Sequence, residues 1–153
     1  MTLRIAQTLT MKLFVLTWIG FGIGFIFLSR IARAEDLPSF RQGLWEFNRT
    51  VETIGSPGKP QTLTTKKCTN PTEDMKKQHE LVSKTGCKFS PAVRTGKTYT
   101  FTTECNIQGV TTKSTSIMTV ENDGAYTVKV ESRSGAQGTN ETLQARRTGD
   151  CAK

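Results

Sequence analysis

The stretch that decides the fold lies in the second half of the chain, and from Thr111 to Ser132 it reads TTKSTSIMTVENDGAYTVKVES. Apolar and polar side chains alternate on both sides of Asn122-Asp123-Gly124, which is the pattern of two half-buried strands joined by a tight turn. Side chains of a strand alternate between its two faces, so the apolar members of both strands share one face: Met118, Val120, Tyr126, Val128 and Val130. The stretch therefore predicts an antiparallel hairpin with one apolar face.

The same alternation continues on either side of this hairpin, between turns that contain Gly, Pro and Ser. It predicts five further strands: Leu44–Val51, Gln61–Lys67, Cys87–Val93, Tyr99–Cys105 and Thr139–Arg147. A sheet with one apolar face must cover that face, and one short helix cannot cover so many strands. We expect a mainly β fold, either a curved antiparallel sheet or a small barrel of about seven strands, with one inserted α-helix.

The inserted helix is predicted by one segment that departs from the β pattern. Asn70-Pro71-Thr72-Glu73 combines a capping residue, a proline at the first helical position and an acid in the first turn, and these features are typical of a helix start. We predict a helix from Pro71 to Lys84 with Met75, His79 and Val82 on one face. A single histidine beside Met and Val is typical of a packing residue, so we expect His79 to pack rather than to act as a general base.

The first 34 residues predict a secretory signal peptide. Arg4 and Lys12 precede an uncharged apolar run from Leu13 to Leu28, and the segment ends in the small-x-small pattern Ala32-Arg33-Ala34, as signal peptides do. The run is shorter than the ~20 residues that span a bilayer comfortably. We expect cleavage after Ala34, with a retained inner-membrane anchor as the alternative. Residues 35–153 would then form a single β-rich domain in the periplasm or outside the cell.

The charge of the chain gives little reason to expect a nucleic-acid partner. Removal of residues 1–34 takes away four basic residues and no acid, so the formal net charge falls from +8 to +4. The remaining basic residues are scattered, whereas nucleic-acid binding favours a dense basic face. We therefore expect no nucleic-acid partner, and membrane contact only through the signal segment if it is retained.

All four cysteines, Cys68, Cys87, Cys105 and Cys151, lie in the predicted exported domain. An even number in that setting indicates two disulfides. The spacing contains no close cysteine pair, which disfavours a zinc site. Of the three possible connectivities, we prefer Cys87–Cys105 with Cys68–Cys151. The alternative joins Cys68 to Cys87 and Cys105 to Cys151, across the ends of the helix.

This preference comes from the hairpin around Thr95-Gly96-Lys97. Gly96 can adopt the positive φ of a three-residue hairpin loop, and a turn centred on Gly96 places Cys87 opposite Cys105 and Val93 opposite Tyr99. The apolar residues predicted to share the face of the two cysteines are Phe89, Val93, Tyr99 and Phe101.

The order of motifs along the chain resembles a known family. The motifs are Gly43-Leu44-Trp45-Glu46, Cys68 before a proline-containing helix, Cys87, Cys105 and the closing Arg146-Arg147-Thr148-Gly149-Asp150-Cys151. In this order they resemble the bacterial exported family called Domain of Unknown Function 3617, over nearly the whole exported segment. The resemblance implies a small four-cysteine, β-rich envelope protein and no established activity. Gly43-x-Trp45 is also similar to the Gly-x-Trp opening of lipocalins, which bind apolar ligands, although a core tryptophan on a first strand has the same pattern.

We expect an envelope protein that binds an apolar small molecule or lipid in the periplasm without catalysis. The candidate ligand-facing or core residues are Trp45, Phe47, Phe89, Tyr99 and Phe101. The alternative is a disulfide-stapled module of the cell envelope that binds another protein, for example by strand addition to a sheet edge.

Catalysis is not expected from the residue types present. The sequence has no set of nucleophile, base and orienting group, and we predict no catalytic residue, no metal ligand and no cofactor. A hydrolase remains conceivable only through paired carboxylates, either Glu46 with Glu52 or Glu104 with Glu131.

Overall fold

The computed structural model describes residues 37–55 and 58–152, so the predicted signal peptide, residues 1–34, lies outside the described residues. The described elements are β1 (Gly43–Ile54), β2 (Gln61–Thr69), α1 (Pro71–Ser83), β3 (Cys87–Phe89), β4 (Val93–Thr95), β5 (Thr98–Ile107), β6 (Val110–Asn122), β7 (Ala125–Ser134) and β8 (Gln137–Gly149). The predicted mainly β fold with one inserted helix is confirmed. There are eight strands in the described residues because the segment predicted as one strand from Cys87 to Val93 forms two.

The strands form one antiparallel sheet in the order β2-β1-β8-β7-β6-β5-β3, and β4 also pairs with β5. Among the described strands, β2 pairs only with β1 and β3 only with β5. The sheet is therefore open, and the alternative of a small closed barrel is wrong. Most neighbours follow one another in the chain, but β1 pairs with β8 across almost the whole domain, with Leu44 opposite Gly149.

The register changes between β3 and β4. Cys87 lies opposite Cys105 as predicted, but Val93 lies opposite Thr100 instead of Tyr99. Pro91 lies between the two strands, and a proline has no N–H to donate to the ladder. A shift of one residue reverses the face of every side chain, so Val93 is 64% exposed. The prediction that Val93 shares the face of the cysteines is wrong for this reason.

The core lies against one face of the sheet and is small. Its buried members are Phe40, Trp45, Tyr99, Met118, Tyr126 and Ala145. Trp45 is fully buried, and its indole N–H donates to the carbonyl oxygen of Arg41 at 3.0 Å. This hydrogen bond satisfies the one polar atom of the indole, as burial requires.

The segment before β1 belongs to the core as well. Phe40 packs edge-on against Trp45 with a centroid distance of 5.9 Å. Its N–H donates to the hydroxyl of Thr72 at 2.9 Å, and that hydroxyl donates to the carbonyl oxygen of Pro38 at 3.0 Å. The segment is thus held between the start of the helix and the sheet.

Helix α1 begins where its sequence predicts. The side chain of Asn70 accepts from the N–H of Thr72 at 3.1 Å and of Glu73 at 3.5 Å, and Pro71 occupies the first turn. The helix ends at Ser83, with Lys84 as its C-cap, one residue before the predicted end. Within the described residues, no helix is long and apolar enough to cross a membrane.

Contact between α1 and the sheet is limited, as the thin apolar stripe predicts. Pro71 is buried and Met75 packs against the core, but Leu81 is 64% exposed. His79 is exposed, and its ring lies 4.1 Å from that of Phe89, measured between centroids. His79 is thus a surface packing residue at the contact between α1 and β3.

The two disulfides are the preferred pair, Cys68–Cys151 and Cys87–Cys105. The first joins β2 to the segment that follows β8, and the second joins β3 to β5, its partner in the sheet. The edge strands β2 and β3 therefore each carry one disulfide.

Candidate functional site on the core face of the sheet

The face of the sheet that carries the core, here called the core face, is organised in rows. The register places every second residue of one strand beside every second residue of the next, so side chains at matching positions form rows across the strands. One row contains Phe47, Ala145, Tyr126 and Val120, and the next contains Arg49, Leu143, Val128, Met118 and Tyr99. These two rows are predominantly apolar.

One end of the core face is covered. Phe40 packs on Tyr126 with a centroid distance of 4.5 Å, and Met75 of the helix packs against the same cluster. Trp45 lies beneath this cover and Phe47 stacks beside it, with a centroid distance of 6.3 Å. The apolar rows are thus closed by protein at this end.

The middle of the core face is only partly covered. The third row contains Val51, Glu141, Val130, Ser116 and Phe101. Val51, Val130 and Phe101 are half-buried and lie outside the buried core cluster. Val128 and Leu143 of the second row and Phe47 of the first row are also only half-buried. We call these six half-buried side chains, which lie in three neighbouring rows, the apolar strip. Within the third row, Glu141 lies between Val51 and Val130, and Ser116 lies between Val130 and Phe101.

A row of hydroxyl groups follows the apolar strip toward the other end of the face. It contains Thr53, Thr139, Ser132, Ser114 and Thr103, one from each of five neighbouring strands, and we call it the hydroxyl row. The hydroxyl oxygens of Ser114 and Ser132 lie 2.8 Å apart and share a hydrogen bond. A surface depression of about 500 Å³ begins here, and its lining includes Thr53, Ser132 and Thr139.

The charged side chains of the core face are paired. Arg49 donates to a carboxylate oxygen of Glu141 at 2.6 Å, and this hydrogen bond raises the pKa of the guanidinium above its ordinary value. At the covered end, Lys67 pairs with Asp74 of the helix at 3.0 Å, and Arg147 pairs with Asp150. The strands β5, β6 and β7 contribute no charged side chain to the rows described above.

The five aromatic residues predicted from the sequence all lie on the core face, but their environments differ. Trp45 and Tyr99 are buried and belong to the core, with exposures of 0% and 7%. Phe47, Phe89 and Phe101 are half-buried. Whether any of them contacts a ligand stays a prediction, and only the half-buried three are placed to do so.

The carboxylates considered for hydrolysis do not come together. Glu46 and Glu52 lie six residues apart on β1, about 20 Å along an extended strand, and Glu46 pairs with Lys66. Glu104 pairs with Lys113 on β6 at 3.2 Å, while Glu131 pairs with Arg133 at 2.9 Å on β7. Within residues 37–55 and 58–152, no cluster of three metal-ligating side chains occurs.

A second hollow, of about 320 Å³, lies at the covered end and includes Arg41, Arg146 and Arg147 in its lining. Arg41 pairs with Asp123 at 2.8 Å, and Arg147 pairs with Asp150. Since two of the three guanidinium groups already have a carboxylate, the hollow offers an anion little uncompensated charge.

The hydroxyl row and the Arg49–Glu141 pair were not predicted from the sequence. The alternation that identifies the apolar faces also places Ser114 and Ser132 on the same face as Met118 and Val128. The sequence alone therefore indicates that these two serines lie on the core face. The rest of the row depends on the pairing of β8 with β1 and β7, which brings Thr139 between Thr53 and Ser132.

Comparison with known proteins assigns the domain to a family. No curated protein and no solved structure matches the chain. The family described as "Protein of unknown function (DUF3617)" matches residues 40–151, a range that begins at the buried Phe40 and ends at the disulfide-bonded Cys151. The chain therefore belongs to the DUF3617 family.

Proposed function

We propose that this protein is an exported envelope protein that binds an apolar small molecule or lipid on the core face of its sheet. The observation that carries the proposal is the apolar strip, which the described helix and N-terminal segment leave half exposed. Half-buried apolar side chains grouped on one face of a sheet are candidates for contact with an apolar ligand or partner. Ligand sites are typically apolar surfaces with a few polar groups at one side, and the hydroxyl row supplies such groups.

Two features support an oxidising compartment, the periplasm or the outside of the cell. The two disulfides are of the kind that persists outside the cytosol. The N-terminal apolar run, with its basic flank and small-residue exit, supports export by a signal peptide. A non-catalytic role is part of the proposal because the sequence lacks a nucleophile with a base and an orienting group.

The alternative, binding of another protein, is favoured by one observation. Strand β2 lies at an edge of the sheet, and its residues Gln61 to Cys68 are all exposed. An exposed edge can accept an extended segment of a partner through main-chain hydrogen bonds. Leu63 is 61% exposed on this strand and would contact such a partner.

The experiment that tests ligand binding uses Nile red, an uncharged dye whose emission rises when it leaves water. We expect saturable uptake by the purified protein. Val51→Thr combined with Val130→Thr should weaken uptake by about tenfold, because two methyl groups of the apolar strip are replaced by hydroxyls that lower the gain from burial. These two valines lie outside the core cluster, so the fold should be retained.

The matched control is Ile117→Thr, which makes a similar change on the opposite face, where Ile117 is 42% exposed. It should leave uptake unchanged. Uptake that is not saturable, or that falls equally in both variants, would contradict a site on the core face. In that case strand addition at β2 becomes the better account.

A further inference from the structure

We infer that the ligand of the core face is an amphiphile with an uncharged, hydrogen-bonding head group, and that this head lies at the hydroxyl row. The inference rests on the proposed function and specifies its ligand class. A hydroxyl group both donates and accepts, so the row can bind an alcohol, a sugar or an amide equally well.

The hydroxyl row differs from other threonines of the sheet because it lies on the core face. Thr115 lies beside Ser114 in the sequence but on the opposite face, where it is exposed. Four members of the hydroxyl row are half-buried and form the row next to the apolar strip on the same face: Thr103, Ser114, Ser132 and Thr139. Polar groups at the border of an apolar surface fix the orientation of a ligand.

The charged side chains near the apolar strip and the depression are already paired, which favours an uncharged head over an ionised one. Arg49 and Glu141 neutralise each other at 2.6 Å. An anion that bound Arg49 would have to displace Glu141, and a cation that bound Glu141 would have to displace Arg49. Either exchange breaks an existing ion pair, so an ionised head gains no net pairing there. Arg133, which lines the depression, is likewise already paired with Glu131 at 2.9 Å. An uncharged head requires no such exchange.

The orientation of the ligand on the core face follows from the difference between the two ends of that face. The apolar rows end beneath Phe40 and Met75, which cover Trp45 and Tyr126. The hydroxyl row lies at the opposite end, where the depression of about 500 Å³ opens. The tail therefore lies along the strip toward the covered end, and the head lies in the depression.

The test compares ligands with one tail and different heads, measured by displacement of Nile red below their micelle concentrations. The series is monolauroylglycerol, ionised lauric acid, dodecyl phosphate and dodecyltrimethylammonium. We expect monolauroylglycerol to bind about tenfold more tightly than the three charged ligands, since two hydrogen bonds of ordinary net strength supply such a factor.

Ser114→Ala combined with Ser132→Ala should reduce the affinity for monolauroylglycerol to that of lauric acid and leave lauric acid unchanged. Thr115→Ala is the matched control and should preserve the preference. Equal binding of all four ligands, or tighter binding of a charged one, would overturn the inference while leaving the proposed function intact. Failure of every ligand and of Nile red to bind would overturn both.

Discussion

At the scale of single residues, burial and the nearby charge of Asp74 alter the ionisation of the core tyrosine Tyr126. Tyr126 is 4% exposed and packs between Phe40 and Trp45. Burial, with a smaller contribution from the charge of Asp74, raises the pKa of its phenol to about 12. The folded protein therefore favours the protonated form of this tyrosine more strongly than the unfolded chain does.

This raised pKa predicts a loss of stability at high pH. An unfolded tyrosine ionises near pH 10, so the unfolded chain releases this proton first. The stabilisation by the neutral phenol is complete below about pH 10 and declines as the pH rises through about 12. In urea unfolding followed by circular dichroism, wild type should lose more stability over this interval than Tyr126→Phe.

Tyrosinate absorbance provides a second measurement of the same group. Wild type should keep a component that appears only near pH 12, and Tyr126→Phe should lack it. Identical stability slopes and identical absorbance titrations in the two proteins would show that Tyr126 ionises like an exposed tyrosine.

At the scale of elements, helix α1 is held mainly at its N-terminal end. Asp74 accepts from Thr69 at 2.7 Å and from Lys67 at 3.0 Å, which ties the first turn to the end of β2. Burial alone would raise the pKa of Asp74, but the hydrogen bonds from Thr69 and Lys67 outweigh it, so the pKa is lowered. The second half of the helix is more exposed: Leu81 is 64% exposed, and His79 packs on the ring of Phe89.

The N-cap should therefore contribute measurably to stability. Asn70→Ala removes the acceptor for two N–H groups of the first turn and should cost about 1 kcal/mol in the free energy of unfolding. Asn70→Asp keeps an oxygen acceptor and should stay close to wild type. Urea midpoints give the comparison, and equal losses in both variants would mean that the side-chain acceptor is not what stabilises the helix start.

The elements also show where prediction from sequence was reliable. The strands of the hairpin from Thr111 to Ser132 were predicted because alternation and an Asn-Asp-Gly turn are local signals. The split of the predicted strand at Pro91 was missed, although the proline was visible, because its effect on register depends on where β5 pairs. As a result, Val93 lies on the face opposite to the one predicted from the sequence.

At the scale of the whole molecule, the disulfides cross-link regions that are far apart in the sequence. Cys68 and Cys151 are separated by 83 residues, and Cys87 and Cys105 by 18. The buried core is small, so constraints on the unfolded chain matter more here than in a large domain.

The larger loop should make the greater contribution to stability. In the chain-entropy treatment, closing the Cys68–Cys151 loop is worth about 4.5 kcal/mol and closing the Cys87–Cys105 loop about 3 kcal/mol. Alanine at both positions of the first pair should therefore lower the urea midpoint more than alanine at both positions of the second. The reverse order would indicate that packing of Cys87, which is 8% exposed, outweighs loop closure.

The sequence by itself determined the mainly β class and the single helix with its cap, and it favoured the Cys87–Cys105 pair, because alternation, capping and hairpin register act over short distances along the chain. Only the tertiary structure decided that the sheet stays open and that β1 pairs with β8. It also decided that five hydroxyls from five strands align beside an apolar strip. The physical reason is that pairing between distant strands is set by how the whole chain buries its apolar surface, and local periodicity does not specify which strands become neighbours.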